Sequence, residues 1–322
     1  MRYWIGLAAI GIAAALPIFL DPMGYPIRVL TLAMLFAALG QAWNIVGGLA
    51  NQISLGHAAF FGLGAYTSTL LLINYGISPW LGMIAGAAVA SVAALILSVP
   101  TMRLQGHYFA LATLAFSEVL RVIAISWSDV TGGPVGLSVP FSPDSFVQLQ
   151  FRSTLPYYYI ILAALVLVSV VFLFIRESAL GYRLRAVKEN VEAAEVIGVD
   201  TTRVKIIAAV ISAALTAMLG TLYAQFMYFF DPDAVFGIVA ISVRAAIVTI
   251  LGGAGTIAGP IIGAFFIIPV EELANSYLSS RTAGLSQLAF GLALIGIILI
   301  EPRGILVLIK EGTARLRKGG KL

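Results

Sequence analysis

Three charged side chains within long apolar stretches are the first candidates for chemistry in this 322-residue sequence. Glu118 and Arg121 are three residues apart, so on a helix they share a face and can form an ion pair. Packing of this pair against neighbouring helices is favoured over a binding role. Arg244 has no acidic residue within one helical turn, and an arginine in apolar surroundings needs a partner or water. It could face a polar path and meet an anionic carboxylate, or it could lie near the surface beside Asp231 or Asp233.

A second candidate site is the polar, glycine-flanked segment that contains Gln52, Ser54 and His57 and introduces an apolar run. Polar backbone at membrane depth is tolerated where it lines a cavity or is buried in protein. The segment could therefore line a translocation path, or Gln52 and Ser54 could simply cap the helix. His57 has no partner at metal-ligand spacing, and the chain has 2 histidines and no cysteine, so no metal site is predicted.

The third candidate is the glycine run from Gly252 to Gly263. Gly253 and Gly255 match part of a dinucleotide fingerprint, but that motif requires a preceding strand, and apolar segments flank the run here. Close packing of helices through small residues, or an unwound turn lining a path, is the favoured interpretation. Gly252, Gly253 and Gly255 are thus candidates for a translocation path.

The composition indicates a polytopic membrane protein. Hydrophobic residues make up 60% of the chain and charged residues 11%, whereas soluble domains carry roughly 25% charge. The net charge of +4 is interpreted as loop orientation and not as nucleic-acid binding. The sequence contains neither a phosphate-binding G-x-x-x-x-G-K-[ST] motif nor a nucleophile–base constellation, so it predicts no catalytic residue and no ATP hydrolysis by this chain.

We predict an all-α bundle of about ten spans in one membrane domain covering residues 1–322. The segment from Val235 to Val270 could be two spans or a pair of half-helices around Gly252–Gly263, because glycines interrupt it. The predicted spans are Trp4–Leu20, Val29–Val46, Ser54–Ile73, Trp80–Val99, His107–Ile125, Leu155–Ile175, Ile206–Phe229, Val235–Leu251, Ile257–Val270 and Leu285–Ile300.

Lysine and arginine residues predict the orientation of the bundle. Six of the 19 lie in the segment 176–205, and six more lie in the tail 303–322. Positively charged loops stay in the cytoplasm, and four predicted spans separate the two segments. Both termini are therefore expected in the cytoplasm, and the polar stretch Ser126–Thr154 outside.

The segment 176–205 is the longest charged stretch between predicted spans. Strong helix formers from Ala186 to Ile197 predict one short helix, with Gly198 as its stop. Asp200 and Thr201 can cap the helix that follows. Such a helix is either an ordinary solvated loop element or one that docks into a partner's groove.

Several motifs carry a resemblance to a known family. Glu192, Ala193 and Ala194, followed after three residues by Gly198, resemble the cytoplasmic EAA loop of bacterial ABC import permeases, although the family's later Ile-x-Leu-Pro is absent. Five further stretches resemble the branched-chain amino acid permeases of the LivM type, and they span nearly the whole chain after the first predicted span. They are Asn51–Tyr66, Arg103–Ala110, Thr131–Gly136, Leu251–Pro260 and Glu301–Ile305.

This resemblance implies a multi-pass permease subunit of the bacterial inner membrane, importing branched-chain or other small amino acids. It also implies a second similar permease subunit, two ABC ATPase subunits that bind ATP and Mg, and a periplasmic substrate-binding protein, with no cofactor bound by this chain. The loop helix with Glu192, Ala193, Ala194 and Gly198 would seat in the ATPase. Urea, short amides or aromatic acids are alternative substrates of the same architecture. An ion-coupled transporter is less favoured, since the spans offer few acidic residues.

Overall fold

The structure is a computed structural model that describes residues 10–278, except Met102, Gln105 and Pro143, together with Gly291. Within that part of the chain, seven helices are long and apolar enough to cross a membrane. The ten main helices are α1 (Tyr25–Ala50), α2 (His57–Tyr75), α3 (Pro79–Thr101), α4 (His107–Ser126), α5 (Thr154–Glu177), α6 (Ala179–Glu189), α7 (Val191–Val196), α8 (Thr201–Met227), α9 (Arg244–Gly253) and α10 (Ala258–Leu278).

Most predicted spans coincide with these helices, and the shifts at their ends have local causes. α1 starts before the predicted Val29 because Pro26 occupies its first turn, where a missing N–H costs nothing. α8 starts before the predicted Ile206 because the Asp200 side chain caps it. Leu285–Ile300 and the tail 303–322 lie outside the described residues, and Trp4–Leu20 is described only from Ile10. The full number of spans and the location of the termini therefore remain predictions.

The predicted span Val235–Leu251 has a different structure from its neighbours. A short helix, Pro232–Phe236, comes first, followed by a π-helical segment of 6 residues, Ile238–Val243, that continues into the 10 residues of α9. Together the π-helical segment and α9 rise about 24 Å, less than the roughly 30 Å of the hydrocarbon core. α10, in contrast, is long enough to span. The glycine run between them forms a turn at residues 254–257.

α1 is the central helix of the bundle. In its apolar stretch 94% of the residues are buried, whereas in α4 only 22% are, so α4 lies at the periphery. α1 packs against α5, α8, α9 and α10, and α8 also packs against α2 and α3. A helix that is apolar on all sides is expected at such a central position.

Two ends of the bundle can be distinguished without reference to a membrane. The end that carries α6 and α7 is called here the loop end. The opposite end, called the far end, carries two short antiparallel strands, β1 (Leu137–Ser138) and β2 (Phe229–Phe230). This pairing ties the stretch after α4 to the end of α8.

Candidate functional site

The charged segment at the loop end folds into two short helices. The predicted single helix over Ala186–Ile197 is wrong, because the chain breaks at Asn190, which adopts an extended conformation. The Asn190 side chain accepts a hydrogen bond of 3.0 Å from the backbone N–H of Ala193 and so caps α7. The predicted stop at Gly198 is confirmed, since its φ of +87° is in the left-handed region that favours glycine. Asp200 caps α8, as predicted, by accepting from the Arg203 N–H at 3.0 Å.

The tip of this segment presents apolar side chains to solvent. Val196 is 87% exposed and Ile197 is 74% exposed, next to the exposed Glu192 and Ala193. Ala194, by contrast, is 2% exposed and faces the bundle. We call the set Glu192, Val196, Ile197 and Gly198 the tip surface. A cavity of about 320 Å³ lies beside it, lined by Leu180, Arg183, Gly198, Val199, Asp200, Arg203, Val204 and Ile207.

Within the charged segment, α6 contacts the end of α1 and the turn between α9 and α10. Lys188 Nζ donates a hydrogen bond of 3.0 Å to the backbone carbonyl of Gly48. The fully buried Asn44 accepts at Oδ1 from Gly255 N–H at 2.7 Å and donates from Nδ2 to the Thr256 carbonyl at 2.9 Å. We call these five residues the junction. Neither Lys188 nor Asn44 had been singled out from the sequence; Lys188 at least belongs to the charged segment.

The glycines singled out in the sequence have backbone roles at this turn. Gly253 and Gly255 have φ values of +123° and +78°, which residues other than glycine rarely adopt. A Cβ on Gly252 would collide with the Gly259 carbonyl and lie 3.0 Å from Gly263 N, so α9 and α10 pack at backbone distance. This matches the small-residue packing proposed for the run. Whether Gly252, Gly253 and Gly255 also line a path stays a prediction.

The polar segment before α2 is held by α1 and α8. Trp43 Nε1 donates to the Ser54 carbonyl at 2.8 Å, and His57 Nε2 lies 2.8 Å from Ser212 Oγ on α8. Because Ser212 gives its own proton to the Ala42 carbonyl at 2.7 Å, we infer that His57 Nε2 carries the hydrogen. His57 Nδ1 then accepts from Ser54 Oγ at 3.2 Å.

These contacts place Ser54 and His57 inside the bundle, at 4% and 1% exposure, and not at a solvated helix cap. Gln52 is 8% exposed, and its Oε1 has no hydrogen-bond partner among the described residues. A cavity of about 20 Å³ beside His57 holds roughly one water molecule. In this conformation the segment therefore surrounds a space far too small for an amino acid.

At the far end, the charged side chains pair with one another. Arg121 Nε donates to Glu118 at 3.0 Å, and Arg121 Nη1 reaches Asp233 at 2.5 Å. Arg244 Nη2 pairs with Glu271 of α10 at 2.6 Å.

The partner of Arg244 differs from the candidates proposed from the sequence. Neither Asp231 nor Asp233 binds it, because Asp231 caps the following helix through the Ala234 N–H and Asp233 binds Arg121. Glu271 is 27 residues away in the chain, and the packing of α9 against α10 brings it into contact. The Arg244 guanidinium also lies 4.8 Å from the centre of the Phe36 ring. A bound carboxylate would therefore have to compete with Glu271.

The comparisons with known proteins all point to the same family. Residues 25–301 match the family model described as branched-chain amino acid transport system, permease component. The high-affinity branched-chain amino acid transport system permease protein LivM of Salmonella typhimurium is 28% identical, over 96% of this chain and 77% of the relative. The corresponding LivH of the same organism is 26% identical, over 86% of this chain and 92% of the relative.

A third relative gives a similar match. The probable branched-chain amino acid transport permease protein LivH of Methanocaldococcus jannaschii is 28% identical, over 76% of this chain and 79% of the relative. No solved structure matches the chain.

Proposed function

The chain belongs to the family of permease components of branched-chain amino acid transport systems, and on this premise we propose that it is the membrane-spanning subunit of an ATP-driven importer of branched-chain amino acids. The observation that carries the proposal is the family match over residues 25–301, which includes the spanning helices and the charged segment. Its setting is the bacterial inner membrane, with the loop end in the cytoplasm, because the segment 176–205 is rich in lysine and arginine.

The importer has further subunits in this proposal. The chain is similar to both LivM and LivH of one organism, which supports pairing with a second, related permease in a heterodimer. Two ABC ATPase subunits would bind ATP and Mg, and a periplasmic binding protein would deliver the substrate. Neither the nucleotide nor the metal would be bound by this chain.

The tip surface is the proposed contact with the ATPase. Two neighbouring apolar side chains, Val196 and Ile197, project from a charged loop into water, where a partner's groove would bury them. Ala194 anchors the same helix to the bundle, so a displacement of α7 is passed to the membrane helices. ATP-driven closure of the ATPases would move α7, and the bundle would alternate between outward and inward access.

The candidate path residues fit this proposal with different strength. Gln52, whose buried oxygen has no hydrogen-bond partner among the described residues, and the turn with Gly252, Gly253 and Gly255 are the better candidates to line the path in another conformation. Ser54, His57 and Arg244 are already engaged in hydrogen bonds or an ion pair. Glu118 and Arg121 form an ion pair at the periphery and hold α4 near Asp233.

An ion-coupled transporter is the competing class of function. Such a mechanism needs a carboxylate that is free to bind and release a cation. Glu118 and Glu271 are both paired with arginine in this conformation, which makes them poor candidates. The pairing therefore gives ion coupling no support.

Reconstitution tests the function directly. Proteoliposomes containing the two permeases and the ATPases should take up leucine only with ATP and the binding protein. Uptake driven by an ion gradient without ATP would contradict the proposal. Competition by urea, short amides or phenylalanine, measured on the binding protein, would decide between the substrate classes.

Gly198 offers a sharp test of the tip surface. An added Cβ at Gly198 would meet nothing within 4 Å in this chain, so within the chain the effect of a substitution comes from its left-handed backbone. Gly198→Val should abolish uptake and weaken co-purification with the ATPase, because β-branched residues do not tolerate φ of +87°. Gly198→Asn, which tolerates that conformation, is the matched control and should retain both. Equal behaviour of the two variants would refute the role of the turn.

A further inference from the structure

The junction connects the loop end to the interior of the bundle through a small number of polar contacts. Gly48 lies in the last turn of α1, where backbone carbonyls lack a partner within the helix. A cation is favoured at such a C-terminus, and the Lys188 ammonium occupies this position. Leu184, one turn earlier on α6, packs in the same apolar cluster as Val46 and Leu49 of α1. α6 therefore rests on α1 through one apolar and one charged contact.

The contact continues from α1 to the turn between α9 and α10. Both polar atoms of the Asn44 amide bond to the backbone of that turn, at Gly255 and Thr256. Gly48 has no room for a side chain, since a Cβ would collide with Asn44 and lie 2.6 Å from Gly255 N. The end of α1 and the turn are thus joined at backbone distance and must move together.

α9 is the element at the end of this connection that is best suited to move. It is too short to span, and the π-helical segment precedes it. π-helical irregularities within helices often mark functional positions. The other end of α9 carries the Arg244–Glu271 ion pair. A shift at Gly255 would therefore tilt α9 around the Arg244–Glu271 pair.

We propose that Lys188 is a positioning residue that transmits displacement of the charged segment, through Gly48 and Asn44, to α9. The inference rests on the proposed function, because ATP is the source of that displacement. Removal of the ammonium should leave nucleotide binding and hydrolysis by the ATPases intact while the membrane helices no longer respond.

Distance measurements in the assembled transporter test this directly. The chain has no cysteine, so pairs of introduced cysteines can be spin-labelled without background. A label pair at Glu189→Cys and Val99→Cys reports the loop, and a pair at Ile250→Cys and Val99→Cys reports α9. Val99 and Ile250 are 69% and 45% exposed. In the otherwise unchanged protein, ATP should change both distances.

With Lys188→Met, ATP should still change the loop distance but not the α9 distance. Lys188→Arg, which keeps a cationic donor, should restore the α9 response. Arg176→Met is the control for loss of a cation, since the hydrogen bond of Arg176 to Arg185 uses only its backbone carbonyl. An α9 response to ATP that is the same in Lys188→Met overturns the proposal. An α9 distance that ATP does not change in the protein that retains Lys188 also overturns the proposal. That measurement does not depend on the folding of a Lys188 variant.

Leucine uptake, measured together with ATP hydrolysis, is a second readout, and it distinguishes a transmitting role of Lys188 from a purely structural one. Lys188→Met should lower leucine uptake about tenfold, as expected for loss of one charge-assisted hydrogen bond, while ATP hydrolysis stays within about twofold. A parallel loss of uptake, hydrolysis and ATPase co-purification would overturn the transmitting role. Absence of ATP-driven uptake with Lys188 in place would instead refute the proposed function, so the two failures are distinguishable.

Discussion

The two ends of the bundle hold their helices together by different chemistry. At the far end, guanidinium groups pair with carboxylates, as in Arg244 with Glu271 and Arg121 with Asp233. At the loop end, Lys188 and Asn44 bond to backbone groups of Gly48, Gly255 and Thr256. Breaking the partly buried Arg244–Glu271 pair leaves a charge without compensation, whereas a freed backbone group near the surface can be hydrated. The far end is therefore suited to stay fixed and the loop end to move.

Arg244→Met should cause the largest loss of stability, because it leaves Glu271, 16% exposed, without its cation. We expect a loss of about 3 kcal/mol in the free energy of unfolding, measured by chemical denaturation in detergent. Arg244→Met combined with Glu271→Leu removes both charges and should recover most of that loss. If the two substitutions instead add their costs, the far end is not held by this pair.

Gly252→Ala should come second, with a loss of about 2 kcal/mol from overpacking, because its Cβ would push against the Gly259 carbonyl. The thermal unfolding midpoint would report the change. Gly11→Ala, whose Cβ meets nothing within 4 Å, serves as the control and should be close to neutral. Equal midpoints for both variants would mean that α9 and α10 can separate at little cost, which would weaken the contrast between fixed and movable contacts.

Asn44→Leu tests the loop end and should cost less, about 1.5 kcal/mol, since water can reach the freed groups of Gly255 and Thr256. Gln41→Leu is a matched control on the same helix. Gln41 is also fully buried, but its amide has no hydrogen-bond partner among the described residues. Its replacement should be neutral or stabilising in the same denaturation assay. A loss at Asn44 as large as that at Arg244 would remove the distinction between the two ends.

Asp233→Asn should have the smallest effect, below about 0.5 kcal/mol, because the Asp233 side chain is 72% exposed and Arg121 keeps Glu118. The small difference should disappear in high salt, where exposed charges are screened. Denaturation curves at two salt concentrations would show this. A large effect that does not depend on salt would assign Asp233 to the fixed core of the far end.

Predictions that depended on a single residue and its neighbours were the ones that the structure confirmed most closely. The stop at Gly198 and the cap at Asp200 were predictable because each depends on one residue and its immediate neighbours. The break at Asn190 was missed, although asparagine is a common cap, because the surrounding residues all favour a helix. The short α9 was suspected from its glycines, but its π-helical start carries no sequence signal that we recognise.

The sequence by itself determined the class of protein, the position of most spans and the charged segment, because hydropathy, charge and capping act over a few neighbouring residues. Only the tertiary structure decided the partner of Arg244, 27 residues away, and the acceptor of Lys188, 140 residues away. Those contacts depend on which helices pack together and at what height. In a chain of uniformly apolar helices, shape and small residues decide that choice; the spacing of glycines can indicate close packing but does not say which helix is the partner.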